Sequence, residues 1–241
     1  MILYHEKKQI IHPSSINFYA AHVAFVQMGF EIKEVEKPEN LEQDSVVLGS
    51  IQFVYNALEN MGFSTPAPLD YPDVLSDFLG RKVWESTINT IANHPEQWNV
   101  FVKPKGLTKK FTGKLIKNIT DLRGMGNING DIPVWVSEPV TFLAEWRVFV
   151  RYGKIIGVHI YSGNWRLSFD ANVIQQAVDS YTDAPNGYAM DFGVTSDGRT
   201  LLVEVNDGYS LGYYGLFYID YAKLLSARWA QLTNQVDLCD F

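Results

Sequence analysis

Apolar positions along this chain recur in two rhythms, and the switch from one to the other marks out the elements. A short apolar run at 2–4 reads as a strand. Ser14-Ser15 then offers an N-cap to a helix over 16–28, with Phe18, Ala21, His22, Phe25 and Val26 on one face and Gly29 closing it. Val46-Val47-Leu48 reads as a buried strand, followed by the turn Gly49-Ser50 and a second helix ending near Gly62. Strand, helix, strand, helix is the grammar of a small α/β lobe with parallel strands, which occupies 1–65. The stretch 64–73 carries Pro66, Pro68 and Pro72 and reads as the link out of that lobe. Beyond it, 74–93 is helical in pattern and bent at Gly80, 100–102 and 134–136 are strands, and 145–161 is a hairpin turning at Tyr152-Gly153. In its first arm Trp146, Val148 and Val150 alternate with Arg147, Phe149 and Arg151, so the two arginines share a face. Asp170 or its neighbour caps a helix with Val173, Ile174, Ala177, Val178 and Tyr181 on one stripe. A final helix over 218–233 turns Ile219, Ala222, Leu225 and Trp229 inward.

Between those last two helices lies the stretch that organises the rest. Asp197-Gly198 separates two alternating apolar runs, the signal of a hairpin with a two-residue loop. That turn sets Asp191 opposite Glu204 and Ala189 opposite Asn206. On the other face it pairs Met190 with Val205, Phe192 with Val203 and Val194 with Leu201. One face is then wholly apolar, while the other holds two carboxylates with Cβ atoms about 5 Å apart and an amide beside them. Two readings stand: a solvated face, or three oxygen ligands forming a seat for Mg²⁺ that relieves the like-charge repulsion. A slip of one residue in register sends Asp191 and Glu204 to opposite faces. The triplet Asp191-Phe192-Gly193 also matches the metal-binding element of protein kinases, but no His-Arg-Asp loop precedes it.

Composition narrows the picture. The chain has 241 residues, 46% of them hydrophobic and 14% aromatic, enough to bury a sizeable core as one large domain or a few lobes. There is no run of about 18 apolar residues and no basic-then-apolar leader at Met1, so the expectation is a cytoplasmic protein without a membrane partner. Cys239 is the single cysteine, in keeping with a reducing compartment. A net charge of -7 argues against a nucleic-acid partner, yet six lysines, Lys103, Lys105, Lys109, Lys110, Lys114 and Lys117, gather in one stretch. That cluster is either a solvated face or a site for a polyphosphate. Lys103 ends a strand beside a loop rich in Gly and Thr, which favours the second. Neither a Walker loop nor a dinucleotide fingerprint is present, and the 124–130 stretch GMGNING fits neither. The five histidines share no metal-ligand spacing.

Taken in order, FVKPKG (101–106), KKFTGK (109–114), VSEPV (136–140), EWRVFVRYGKIIG (145–157) and MDFG…LVEVNDG (190–208) resemble the ATP-grasp superfamily, most closely its short members, including a clade named for one arginine and two lysines. The resemblance implies an α/β (α+β) ATP-grasp fold: a small N-terminal α/β lobe over 1–65, then two α+β subdomains that clasp ATP, a lid-bearing one at about 66–140 and a metal-binding one at 141–241. It implies that Lys103 contacts ATP phosphates or the N7 side of adenine, and that the loop through Lys114 folds over the triphosphate. Glu138 and the backbone near Val140 would read the adenine edge, Glu145 would hold the ribose hydroxyls, and Arg147 would face the transferred phosphoryl group or the substrate acid. Asp191, Glu204 and Asn206 would ligate one or two Mg²⁺ ions, with Mn²⁺ as a substitute. Two positions depart from the pattern. Pro139 has no N–H for the adenine, and the second lysine has no clear counterpart, with Lys82, Lys105 and Lys114 as candidates.

The reaction so implied is ATP-driven joining of a carboxylic acid to an amine through an acyl phosphate, releasing ADP and phosphate, with a small-molecule or peptide substrate. A kinase that stops at phosphoryl transfer is the nearest rival. A nucleotide module without catalysis is a second, and a carbohydrate- or nucleic-acid-binding protein stacking on Trp135, Trp146 and Trp165 is a third. Tyr209, Tyr213 and Tyr214 either shape an aromatic substrate pocket or belong to the core.

Overall fold

A computed structural model describes residues 1–9, 16–106, 111–126 and 130–241; the Ser14-Ser15 cap, His12, Lys109, Lys110 and the middle of the 124–130 stretch lie outside the described residues. Among the described residues three sheets carry the architecture. The first is parallel, with β1 (Ile2–Glu6) flanked by β2 (Glu31–Val35) and β3 (Ser45–Leu48). Helices α1 (Ile16–Gln27) and α2 (Ile51–Asn60) connect and cover it. On α1 the buried residues are Ala20, Ala21, Ala24 and Phe25, while Val26 is exposed, so the apolar face is rotated from the expected one. Strand β2 leaves no mark on the apolar pattern because it is a charged edge strand, EIKEV, with few apolar positions.

The second sheet is antiparallel, in the order β4 (Val83–Thr87), β7 (Pro133–Ser137), β5 (Val100–Pro104), β6 (Lys114–Ile116). Here the helical expectation for 74–93 is corrected. The segment forms a 3-10 turn at Asp73–Phe78, the strand β4 and only a short helix, α3 (Ile88–Asn93). Gly80 at φ +58° ends the turn, and Val83, Trp84 and Thr87 suit a strand paired with β7.

The third sheet, also antiparallel, runs β11 (Thr200–Asp207), β10 (Gly187–Thr195), β8 (Phe142–Arg151), β9 (Lys154–Gly163). One face, with Val148, Val150, Met190, Phe192, Leu202 and Val205, packs on α4 (Ala171–Ser180), which Asp170 caps through Asn172 N. The hairpin of β10 and β11 pairs Asp191 with Glu204, Ala189 with Asn206 and Met190 with Val205 as expected, but Phe192 faces Leu202 and Val194 faces Thr200. Two departures cancel. The turn is one residue longer than a two-residue loop, with Gly198 at φ +80°, and a bulge at Val203 restores the register before the carboxylates are reached.

Helix α5 (Tyr218–Leu232) crosses from this sheet to the parallel one and is buried on nearly every side, including Arg228 and Ser226. Its core joins Phe25, Leu58 and Val46 of the first lobe to Phe149 and Ala189 of the third sheet, so among the described residues the 1–65 lobe shares its core with the rest of the chain. Gly187 permits the crossing, since a Cβ there would lie 2.4 Å from Leu224 O of α5, and Gly208 lets β11 close on Gly187, whose O would be 2.1 Å from a Cβ at 208. Among the described residues no helix is long and apolar enough to cross a membrane.

Candidate active site

Alternation along four adjacent strands places His159, Arg147, Asp191 and Glu204 side by side in one row across the third sheet. Arg147 and Asp191 are both buried, and the guanidinium donates two bonds to the carboxylate, Nε to Oδ1 at 2.7 Å and Nη2 to Oδ2 at 2.6 Å. Burial pushes the Asp191 carboxyl above its ordinary value, against the pull of Arg147. The Tyr214 ring covers the guanidinium at 4.6 Å. Asn206 Nδ2 donates to Asp191 Oδ2 at 3.2 Å and to Glu204 Oε1 at 3.4 Å.

Facing this row is the second sheet. On β5, Val100 and Val102 point into that sheet's own core, so Phe101 and Lys103 point the other way. Lys103 Nζ donates to Glu204 Oε2 at 2.7 Å and to Asp70 Oδ1 at 2.9 Å, and lies 4.4 Å from the Tyr71 ring. Burial opposes this charge, but Glu204, Tyr71 and Asp70 outweigh it and hold the ammonium's pKa above its ordinary value. Between the two sheets opens a cavity of about 620 Å³.

The expected residues divide into three groups around that cavity. Lys103, Val140, Glu145, Glu204 and Asn206 line it. Glu145 accepts a bond from Tyr161 Oη at 2.9 Å, and burial followed by the nearby carboxylates raises that phenol's pKa. Asp191 and Arg147 lie in the sheet beside the lining, committed to one another. The remaining three are turned elsewhere. Glu138 accepts from Lys82 N at 2.9 Å and donates its own N–H to Lys82 O at 3.1 Å, prolonging the pairing of β4 with β7, while its neighbours Ser137, Pro139 and Val140 reach the cavity. Lys105 pairs with Glu85 and lies over Trp135. Lys114 shares the strand face of the core residue Ile116, whereas Leu115 faces the cavity.

None of the three lysines expected to supply a second cation is among the described residues lining the cavity; Arg81 is. Its guanidinium donates to Leu79 O at 2.9 Å, Leu202 O at 2.8 Å and Val203 O at 3.0 Å. The last two carbonyls sit at the bulge on the open edge of β11. Burial lowers its pKa. Asp70, in sequence only a member of the proline-rich link, is fixed to that edge too, through its carbonyl and Val205 N. Asp207, also on the cavity, is held by two bonds from Arg228, at 2.6 and 2.7 Å. The helical pattern of 74–93 hides Arg81 in mid-helix, and no residue-level pattern distinguishes Asp70 from an ordinary turn aspartate.

Among the described residues no three Asp, Glu, His or Cys side chains converge as a metal cluster. The donor chemistry nevertheless suits a hard cation. Glu204 and the Asn206 amide, which can present its oxygen, face the cavity side by side. Asp191 has three of about four lone-pair sites taken, by Arg147 twice and Asn206 once.

The sequence model of an ATP-grasp domain family, family 2 of the clade named for one arginine and two lysines, matches residues 78–224. No curated protein matches the sequence. Among solved structures, the chain is similar to the D-alanine–D-alanine ligase of Bacillus anthracis at 13% identity and a TM-score of 0.61, over 97% of this chain and 98% of that one. It is similar to a RimK domain ATP-grasp protein of Sphaerobacter thermophilus at 13% identity and a TM-score of 0.59, over 93% and 98%. A third is the ATP-grasp ligase PsnB in complex with a minimal precursor, at 12% identity and a TM-score of 0.53, over 94% and 98%. Identities this low establish a shared fold.

Proposed function

The chain belongs to the ATP-grasp domains, in family 2 of the clade named for one arginine and two lysines, and from that premise we propose that it is an ATP-dependent ligase joining a carboxylic acid to an amine. The observation that carries the reading is the convergence of Lys103, Arg81, Glu145, Glu204 and Asn206 on one cavity between two sheets. In the reaction, a carboxylate oxygen of the acid attacks the γ-phosphorus, ADP leaves, and the amine displaces phosphate from the acyl phosphate. Such a transfer asks the protein mainly for positioning and charge neutralisation.

Lys103 and Arg81 supply the cations for the phosphates, in place of Lys105 and Lys114. Val140 would offer the adenine edge the N–H that Pro139 lacks, and Glu145, bonded by Tyr161, would accept from the ribose hydroxyls. Glu204 and Asn206 would hold Mg²⁺, which supplies neutralisation of the phosphate oxygens. Arg147 holds Asp191 in place below them through two bonds, a supporting role rather than direct contact with the transferred group. The acid and the amine stay open between a small molecule and a peptide; PsnB's precursor complex supports including peptides in the search. The test is incubation with ATP, Mg²⁺ and pooled amino acids and peptides, read by nucleotide analysis and mass spectrometry. ADP, phosphate and a new amide are expected. AMP and pyrophosphate overturn the acyl-phosphate route, and ADP with a stable phosphorylated product makes the protein a kinase.

A further inference from the structure

Asp70 is held far more firmly than a linker residue requires. Its carbonyl accepts from Val205 N at 2.9 Å, one carboxylate oxygen accepts from Trp135 Nε1 at 3.0 Å and the other from Lys103 Nζ at 2.9 Å. Its φ of +40° lies in the left-handed region, which Asp tolerates better than most residues. Strand β11 thus fixes its backbone, and β7 and β5 fix its side chain. Glu204 reaches the same ammonium from the end of a longer side chain that is 31% exposed, against 19% for Asp70.

An ammonium has three N–H bonds. On Lys103 these face Asp70, Glu204 and the Tyr71 ring, so a phosphate oxygen must displace one of them. Glu204 is the partner able to leave: it is the more exposed, the more flexible, and the one with a use elsewhere, as a ligand to the metal that accompanies the nucleotide. Once Glu204 has turned away, Asp70 is the anion that keeps the ammonium in the cavity. Resting on the ATP reading above, we propose that Asp70 is a positioning residue. It holds Lys103 in place while the ammonium's other bond passes from Glu204 to a phosphate oxygen of metal-bound ATP.

The competing view makes Asp70 a tether for the linker, and its charge a liability beside phosphates. The two views give opposite signs. Calorimetric titration of MgATP into wild type, Asp70→Asn, Lys103→Met and the double variant forms a thermodynamic cycle. Positioning predicts that Asp70→Asn weakens MgATP by roughly tenfold or more, the scale of a charge-assisted bond, and changes nothing further in the Lys103→Met background. Unchanged or tighter binding in the single variant overturns the proposal, as does an equal loss in both backgrounds. If Asp70→Asn does not fold at the working temperature, Trp135→Phe, which removes the bond orienting the carboxylate, takes its place in the cycle with a smaller loss expected. A second arm uses ATP with chelator and no metal. Glu204→Gln should bind it more tightly than wild type does, because Lys103 is already released; equal or weaker binding overturns the exchange. Wild type that binds MgATP in no titration overturns the nucleotide reading and this proposal together, which separates that failure from failure of the proposal alone.

Discussion

At the scale of single residues, burial and partners decide what a charge can do. Asp191 and Glu204 face each other across the ladder, yet neither is an uncompensated anion, because Arg147 is bonded to one and Lys103 to the other. Glu204→Gln therefore relieves no repulsion. It removes one charge-assisted bond to a largely buried ammonium that retains Asp70, so metal-free stability should fall by about 1–3 kcal/mol. MgATP binding should weaken markedly in the same variant; a large drop in melting temperature with MgATP affinity intact would make Glu204 a structural residue. His5 gives a different test. It is buried in β1 with Nδ1 3.1 Å from His22 Nδ1, and its Nε2 has no partner among the described residues. Burial, with His22 adding to it, lowers its pKa from 6.5 to about 4. The unfolded chain then takes up a proton below pH 6.5 that the fold refuses. Stability from this residue is full above that value and is lost as pH falls toward 4, by up to about 3 kcal/mol at 1.36 kcal/mol per unit. Urea unfolding between pH 7 and 4 should show a shallower loss in His5→Leu than in wild type.

At the scale of elements, legibility follows how strongly one local rule dominates. The alternation in 145–161 and 188–206 is readable because each strand has one buried face, and that constraint fixes the pairing at Asp191 and Glu204 even though the turn differs. The bulge at Val203 is not readable: a bulge is set by what the strand edge must meet, here the Arg81 guanidinium on the Leu202 and Val203 carbonyls, a contact far away in sequence. The same limit hides β4, whose pairing with β7 is nonlocal, and with it Arg81 as a cavity residue. Two glycines of the hairpin region separate local from nonlocal constraint. Gly198 has a positive φ but open space around its missing Cβ, so Gly198→Ala should cost only about 1 kcal/mol. Gly208 has backbone 2.1 Å from that position, so Gly208→Ala should cost more than about 2 kcal/mol, in the upper range of overpacking or beyond it. Equal losses in denaturant titrations would mean that the backbone at Gly187 yields easily to a methyl group at 208.

At the scale of the whole molecule, α5 packs against the first lobe and the third sheet alike. A boundary near residue 65 follows the composition of the proline-rich link, and sequence favours it because composition is local. The packing crosses it. Trp229 is buried and donates its Nε1–H to Ser45 O at 2.7 Å, and Tyr221, Leu224 and Leu225 lie in the same core as Leu3, Phe25 and Leu58. Ser210 and Tyr55 add bonds from the cavity side, to Gly49 O and Tyr209 respectively. A lobe that shares its apolar core with a helix at the far end of the chain cannot lose its own structure without exposing that helix. Wild-type thermal unfolding should therefore be one transition, with calorimetric and van't Hoff enthalpies equal. Trp229→Ala removes the largest shared side chain of the crossing and should cost about 3–5 kcal/mol. It should also loosen the coupling, so that the first lobe opens before the rest. Hydrogen exchange then distinguishes the outcomes: protection lost early in β1 and β3 but kept in β10 marks a shared core that α5 was holding together, whereas uniform loss across all three sheets with a single sharp transition means that the lobes are coupled by something other than this helix.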